Sequence, residues 1–129
     1  MSRGRRCRAL GAVPLALAAG VSACDLPGAC PLDIRHSVEV AVTDSATGAH
    51  LARGTRGAIR SLFREDSLRV EDEFDPDPLW LVAGQDGGTY SVRLERAGYH
   101  AWSRTGIEVE AGDCGPSPVM LEAKLQPAP

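Results

Sequence analysis

Four runs of this chain set an apolar residue at every second position. Val38, Val40 and Val42 alternate with Glu39, Ala41 and Thr43, and Tyr90, Val92 and Leu94 with Ser91, Arg93 and Glu95. Ile107 and Val109 alternate with Glu108 and Glu110, and Val119, Leu121, Ala123 and Leu125 with Met120, Glu122 and Lys124. Successive side chains of an extended chain point to opposite faces, so each run reads as a strand with one buried face. Leu79 to Ala83 is a short continuous apolar run, Thr55 to Phe63 forms a further strand, and Leu68 and Val70 alternate with Arg69 and Glu71. Polar turns separate them: Asp44-Ser45-Ala46-Thr47-Gly48, whose glycine can take positive φ, then Gly84-Gln85-Asp86-Gly87-Gly88, then Gly98. This spacing predicts an all-β chain, a small antiparallel β-sandwich of about seven strands. One stretch competes. Ile59, Phe63, Val70 and Phe74 share a helical face, which leaves room for a helical turn within 62–74 before Pro76 and Pro78 stop it.

The start of the chain is of a different kind. Arg3, Arg5, Arg6 and Arg8 precede a stretch from Ala9 to Val21 without charge. A basic start and a short apolar run are the parts of an export signal, and the run is too short to span a bilayer. It ends in Val21-Ser22-Ala23-Cys24, which resembles the lipobox of a bacterial lipoprotein. That resemblance implies a signal peptide over 1–23, a lipidated Cys24 and a short tether over 24–37. The protein would then be exported and lipid-anchored at the cell membrane or outer membrane. The tripeptide also satisfies an ordinary secretory cleavage site, which would release the protein with Cys24 as a plain thiol. Cysteine parity favours lipidation. Cleavage before Cys24 removes Cys7 and leaves Cys24, Cys30 and Cys114, one too many to pair. With Cys24 acylated, Cys30 and Cys114 can form a disulfide in an oxidising compartment. A reactive Cys114 paired with a histidine is the alternative, and no local motif supports it.

The processed chain would hold 106 residues, enough for one small domain over 38–126, with residues 127–129 expected to fray. Losing four of the 14 basic residues leaves ten against 17 acids, a net charge of about −7. That balance excludes nucleic acid as a partner, because phosphate binding needs a basic footprint. The contact with the bilayer would come through the acyl group on Cys24.

From Val38 to Leu125 the chain resembles the carboxypeptidase regulatory-like family. Val38 to Asp44 followed by Thr47-Gly48 resembles that family's first strand and its D-x-x-T-G turn. Gly88-Thr89-Tyr90-Ser91-Val92 is similar to its G-x-Y-x-V strand, Gly98-Tyr99 to its G-Y turn, and Val119 to Leu125 to its closing strand. The resemblance implies a transthyretin-like (prealbumin-like) sandwich serving as an accessory or binding module. The residues agree with it: Tyr90 can cover one end of the core while its hydroxyl reaches a backbone group, and Tyr99 suits a corner.

Chemical motifs are sparse. The related 5-hydroxyisourate hydrolases end in Tyr-Arg-Gly-Ser, whereas this chain ends Leu125-Gln126-Pro127-Ala128-Pro129. Cna-B-like surface domains form Lys–Asn isopeptide bonds, and this chain has no asparagine. His36, His50 and His100 lack metal-ligand spacing, and no G-x-S-x-G elbow is present. Glu65, Asp66, Glu71, Asp72, Glu73, Asp75 and Asp77 crowd into one segment. Without a D-x-D-x-D-G loop they read as a solvated acidic loop or a docking surface for a basic partner. Trp80 and Trp102 can stack on sugar rings or on a partner's side chains. The expectation is a non-catalytic envelope module, without catalytic residues, metal or cofactor, that binds or scaffolds a protein or peptide. The alternatives are a glycan-binding module using Trp102 and Trp80, and an enzyme of unrecognised type.

Overall fold

The computed structural model describes residues 30–129. The signal peptide expected over 1–23, Cys24 and residues 25–29 of the expected tether lie outside the described residues.

The described residues form ten strands and no helix. They are β1 (Val38–Asp44), β2 (Arg56–Arg60), β3 (Glu65–Ser67), β4 (Arg69–Val70), β5 (Trp80–Ala83), β6 (Gly88–Glu95), β7 (Trp102–Val109), β8 (Ala111–Gly112), β9 (Gly115–Pro116) and β10 (Val119–Leu125). One four-stranded sheet has the order β10-β1-β5-β4 and a second has the order β3-β2-β6-β7; β8 and β9 form a separate hairpin. The chain is an all-β sandwich. Alternation sorts the faces as expected. Val38, Val40, Val42, Leu81, Ala83, Leu121, Ala123 and Leu125 of the first sheet pack against Ile59, Tyr90, Val92, Leu94, Ile107 and Val109 of the second. Leu51, Ala52 and Leu68 complete the core from the connections.

Three readings of the sequence differ from the observed fold, each for an identifiable reason. The second strand stops at Arg60 because Ser61 turns the chain: its N–H donates to the Arg64 carbonyl (2.8 Å) and its Oγ accepts from the Arg64 N–H (3.2 Å). The helical turn within 62–74 does not form. Phe63 and Phe74 of its supposed stripe are exposed, so no apolar face exists to bury. That stretch instead supplies β3 to one sheet and β4 to the other, and the step between them closes one side of the sandwich. Finally, β7 begins at Trp102, five residues before the alternating pair Ile107 and Val109. Tyr90 pairs with Ile107 and Val92 with Arg104, so Thr105 and Gly106 together face Ser91 across a bulge. Gly106 takes φ of 69° there, the left-handed conformation that a bulge of this kind demands.

One pairing is parallel. Val38↔Val119 through Asp44↔Leu125 align β1 with β10 in the same direction. Both strands leave the same pole of the sandwich, where Val119 N–H donates to the Ser37 carbonyl (3.0 Å). At the other pole the tail expected to fray is paired. His100 N–H donates to the Gln126 carbonyl and Ala128 N–H to the Gly98 carbonyl, both at 2.9 Å.

Candidate functional site

The two poles are built differently. At the first, Cys30 is bonded to Cys114 between β8 and β9, with Cα atoms 5.2 Å apart. This is the expected pair, and it ties the incoming chain to the β8–β9 hairpin. Ser37 belongs to the same pole: its N–H donates to the Gly84 carbonyl (3.1 Å) and its hydroxyl to the Asp86 carbonyl (2.6 Å). The Tyr90 hydroxyl donates to that Asp86 carbonyl too (3.0 Å), so the ring covers one end of the core as the sequence suggests. Arg64 pairs with the Asp86 carboxylate, which brings the β2–β3 turn to this pole.

The opposite pole is organised by Asp44. One carboxylate oxygen accepts from the N–H groups of Ala46 (2.7 Å) and Thr47 (3.0 Å). The other accepts from the Tyr99 hydroxyl (2.6 Å). Gly48 takes φ of 75° to close the turn, as its place after Thr47 predicts. The hydroxyl of Tyr99 and these two amides hold the Asp44 carboxyl below its ordinary value. The same hydrogen bond, with burial, raises the Tyr99 phenol above its own. The Arg96 guanidinium lies 5.8 Å from the Tyr99 ring centroid and donates to the carbonyls of Leu51 (3.0 Å) and Arg53. The sequence marks Tyr99 as a corner residue but gives no sign of its partner, 55 residues away.

The acidic segment does not form one patch. Glu65 pairs with Arg60 (2.6 Å), and Asp66 accepts from the Gly84 N–H (2.8 Å) at the first pole. Glu71 to Asp77 lie in the β4–β5 loop. There Arg53 donates to the Glu73 (3.3 Å) and Asp75 (2.7 Å) carbonyls, and His50 contacts the Asp77 carboxylate at 3.2 Å. The histidines are dispersed: His36 precedes Ser37, His50 pairs with Thr43, and His100 follows the Tyr99 turn.

The tryptophans are not brought together. Trp80 is half-buried on the outer face of the first sheet, opposite Ala41. Trp102 lies on edge strand β7, packed against the core, with the Arg104 guanidinium 5.3 Å from its ring centroid. The Arg104 cation sits over the indole, and the two tryptophans lie on different sheets, so they make no shared platform.

What Trp102 borders is a trough of about 500 Å³ along the side of the sandwich that β3 and β4 do not close, lined by Trp102, Arg104, Met120, Leu121, Glu122 and Lys124. Its floor is the free edge of β10. Val119 N–H and the Leu125 carbonyl, which accepts from Ser45 N–H (2.9 Å), both point toward β1. Backbone groups alternate sides along a strand, so Leu121 and Ala123 follow them, and Met120, Glu122 and Lys124 present their N–H and C=O outward. The neighbouring edge, β7, is interrupted by its bulge; β10 is regular over seven residues. Comparison with known protein families and with curated proteins finds no match.

Proposed function

We propose that this chain is a non-catalytic, membrane-anchored envelope lipoprotein that binds or scaffolds a protein partner by accepting an extended segment along β10. The observation that carries this reading is the regular edge itself. It offers three outward N–H and C=O pairs beside that trough, on the long side that no crossing segment among the described residues closes. Strand addition of this sort takes affinity from main-chain hydrogen bonds and selectivity from alternate side chains. Here those side chains are Met120, Glu122 and Lys124, an apolar, an acidic and a basic position in succession. Charges on an edge discourage unselective pairing, so a partner must match them. The anchor rests on the Cys24 lipobox and on the disulfide that absorbs the other two exported cysteines. The resemblance to carboxypeptidase regulatory-like modules supports the same reading.

Two experiments test it. Mass spectrometry of the processed N-terminus is expected to show acylated Cys24; an unmodified residue there removes the anchor. A photo-crosslinker at Met120 of the full chain in its native envelope is expected to join a discrete protein. The edge substitution Glu122→Pro removes one outward N–H without touching the β1 ladder, and it is expected to abolish that adduct. An adduct that persists in the proline variant overturns docking along β10.

A further inference from the structure

Large apolar side chains that remain largely in water are unusual enough to ask where they sit. Among the described residues they are Leu32, Ile34, Leu62, Phe63, Phe74 and Met120. Met120 belongs to the β10 edge and Phe74 to the opposite pole. The other four share the pole of the disulfide. Leu32 (103% exposed) and Ile34 (75%) lie between Cys30 and Ser37, both fixed there. Leu62 (93%) and Phe63 (95%) form the tip of the β2–β3 turn, which the Arg64–Asp86 pair holds at that pole. The tip is a built turn. Ser61 Oγ accepts from the N–H groups of Phe63 (3.4 Å) and Arg64 (3.2 Å), so two exposed apolar side chains sit on a fixed support.

Cys24 lies six residues before Cys30, a stretch that reaches about 20 Å when extended. We infer that this pole is a membrane-contacting face, with Leu62 and Phe63 seated in the bilayer interface beside the lipid anchor; the inference rests on the acylated Cys24 proposed above. The occupant is a lipid surface of no particular charge. Three arginines near the pole have carboxylate partners, Arg35 with Asp33 (3.7 Å), Arg60 with Glu65 (2.6 Å) and Arg64 with Asp86, while Arg69 lines a groove beside Arg64 and Asp86. The contact rests on the exposed apolar tips Leu62 and Phe63, and it is expected to depend little on salt. Seating this pole turns the β10 edge sideways to the membrane and leaves the Asp44–Tyr99 pole farthest from it.

The test uses the full acylated chain in phosphatidylcholine vesicles, with and without bromine on the acyl chains. In separate variants Phe63→Trp and Phe74→Trp add one indole at each pole, and wild type supplies the background of Trp80 and Trp102. The emission added at position 63 is expected to be quenched by brominated lipid and that at position 74 to be unaffected, at low and high salt alike. Equal emission at position 63 in both vesicles overturns the contact, and quenching at both positions overturns the orientation. Leu62→Trp is the second reporter, and a thermal melt checks each fold. A chain without acyl groups fails in the mass spectrum before any vesicle is made, which separates failure of the anchor from failure of this face.

Discussion

Replacing Cys30 and Cys114 together by serine removes a cross-link between residues 84 apart in sequence. In the folded protein little else changes. Cys30 and residues 31–35 are exposed, Cys114 lies in a two-strand hairpin outside the core, and neither contributes to the buried cluster. The effect therefore falls on the unfolded chain, which regains the freedom of a loop covering nearly the whole domain. In the chain-entropy model that loop is worth about 4.5 kcal/mol at 25 °C, against ~5–15 kcal/mol for a typical domain. For a domain of this size each kcal/mol moves the melting temperature by roughly 4–8 °C, so the loss corresponds to about 20–35 °C. Urea denaturation of the oxidised protein and the double-serine variant measures it directly. The variant is expected to unfold at lower urea and with a steeper dependence on urea, because its unfolded state exposes more surface. A loss under about 1 kcal/mol with an unchanged slope would refute the entropic argument.

Three further outcomes follow from the packing and the Asp44 corner. Leu94→Ala empties a fully buried site between the sheets and is expected to cost about 2–5 kcal/mol by denaturant titration. Gly57→Ala would gain β-propensity on a bare strand, yet its Cβ would stand 2.5 Å from Leu94 Cδ2 and 2.7 Å from the Arg93 carbonyl oxygen. That backbone atom cannot swing aside, so a loss of about 1–3 kcal/mol is expected, and a neutral or stabilising result would contradict the sheet spacing. Asp44 lies below its ordinary 3.8, chiefly through the Tyr99 hydroxyl. It contributes stability that is complete above that value and is lost as pH falls through the lowered one. Tyr99 lies above its ordinary 10.0, chiefly through the Asp44 carboxylate. Its contribution is complete below 10.0 and is lost as pH rises through the raised value. Tyr99→Phe is expected to weaken the alkaline limb of the stability profile and the acid one; an unchanged alkaline limb would deny the Tyr99–Asp44 bond its role.

The legible part of the sequence was local. Val38 to Val42, Tyr90 to Leu94 and Val119 to Leu125 declared their buried faces because side-chain direction in an extended chain depends on the residue's own backbone alone. The Asp44–Gly48 turn was legible for the same reason, and the Cys30–Cys114 pair was legible by parity once Cys24 was read as acylated. Trp102 to Thr105 were not legible as strand. Their polar side chains give no alternation, and β6 recruits them by backbone hydrogen bonds that take no account of side chains. The acidic run looked like one surface only along the chain. In space β3 and β4 join different sheets, so Glu65 and Asp66 part from Glu71 to Asp77. The aromatic pair likewise separated, since Trp80 faces outward on one sheet and Trp102 guards an edge of the other.

The candidate surfaces belong to the tertiary structure entirely. That β10 runs parallel to β1 and ends its sheet, that β7 is broken by a bulge while β10 is not, and that Leu62 and Phe63 share a pole with Cys30 are consequences of strand order. Strand order is set by which buried faces pack best over long sequence separations, a global choice among many pairings compatible with the same alternation. The sequence alone determined an all-β chain and its turns, because each depends on near neighbours, and it pointed to the Cys30–Cys114 pair by parity. Only the packed sandwich decided which backbone edge was left without a partner and which apolar tips were left in water.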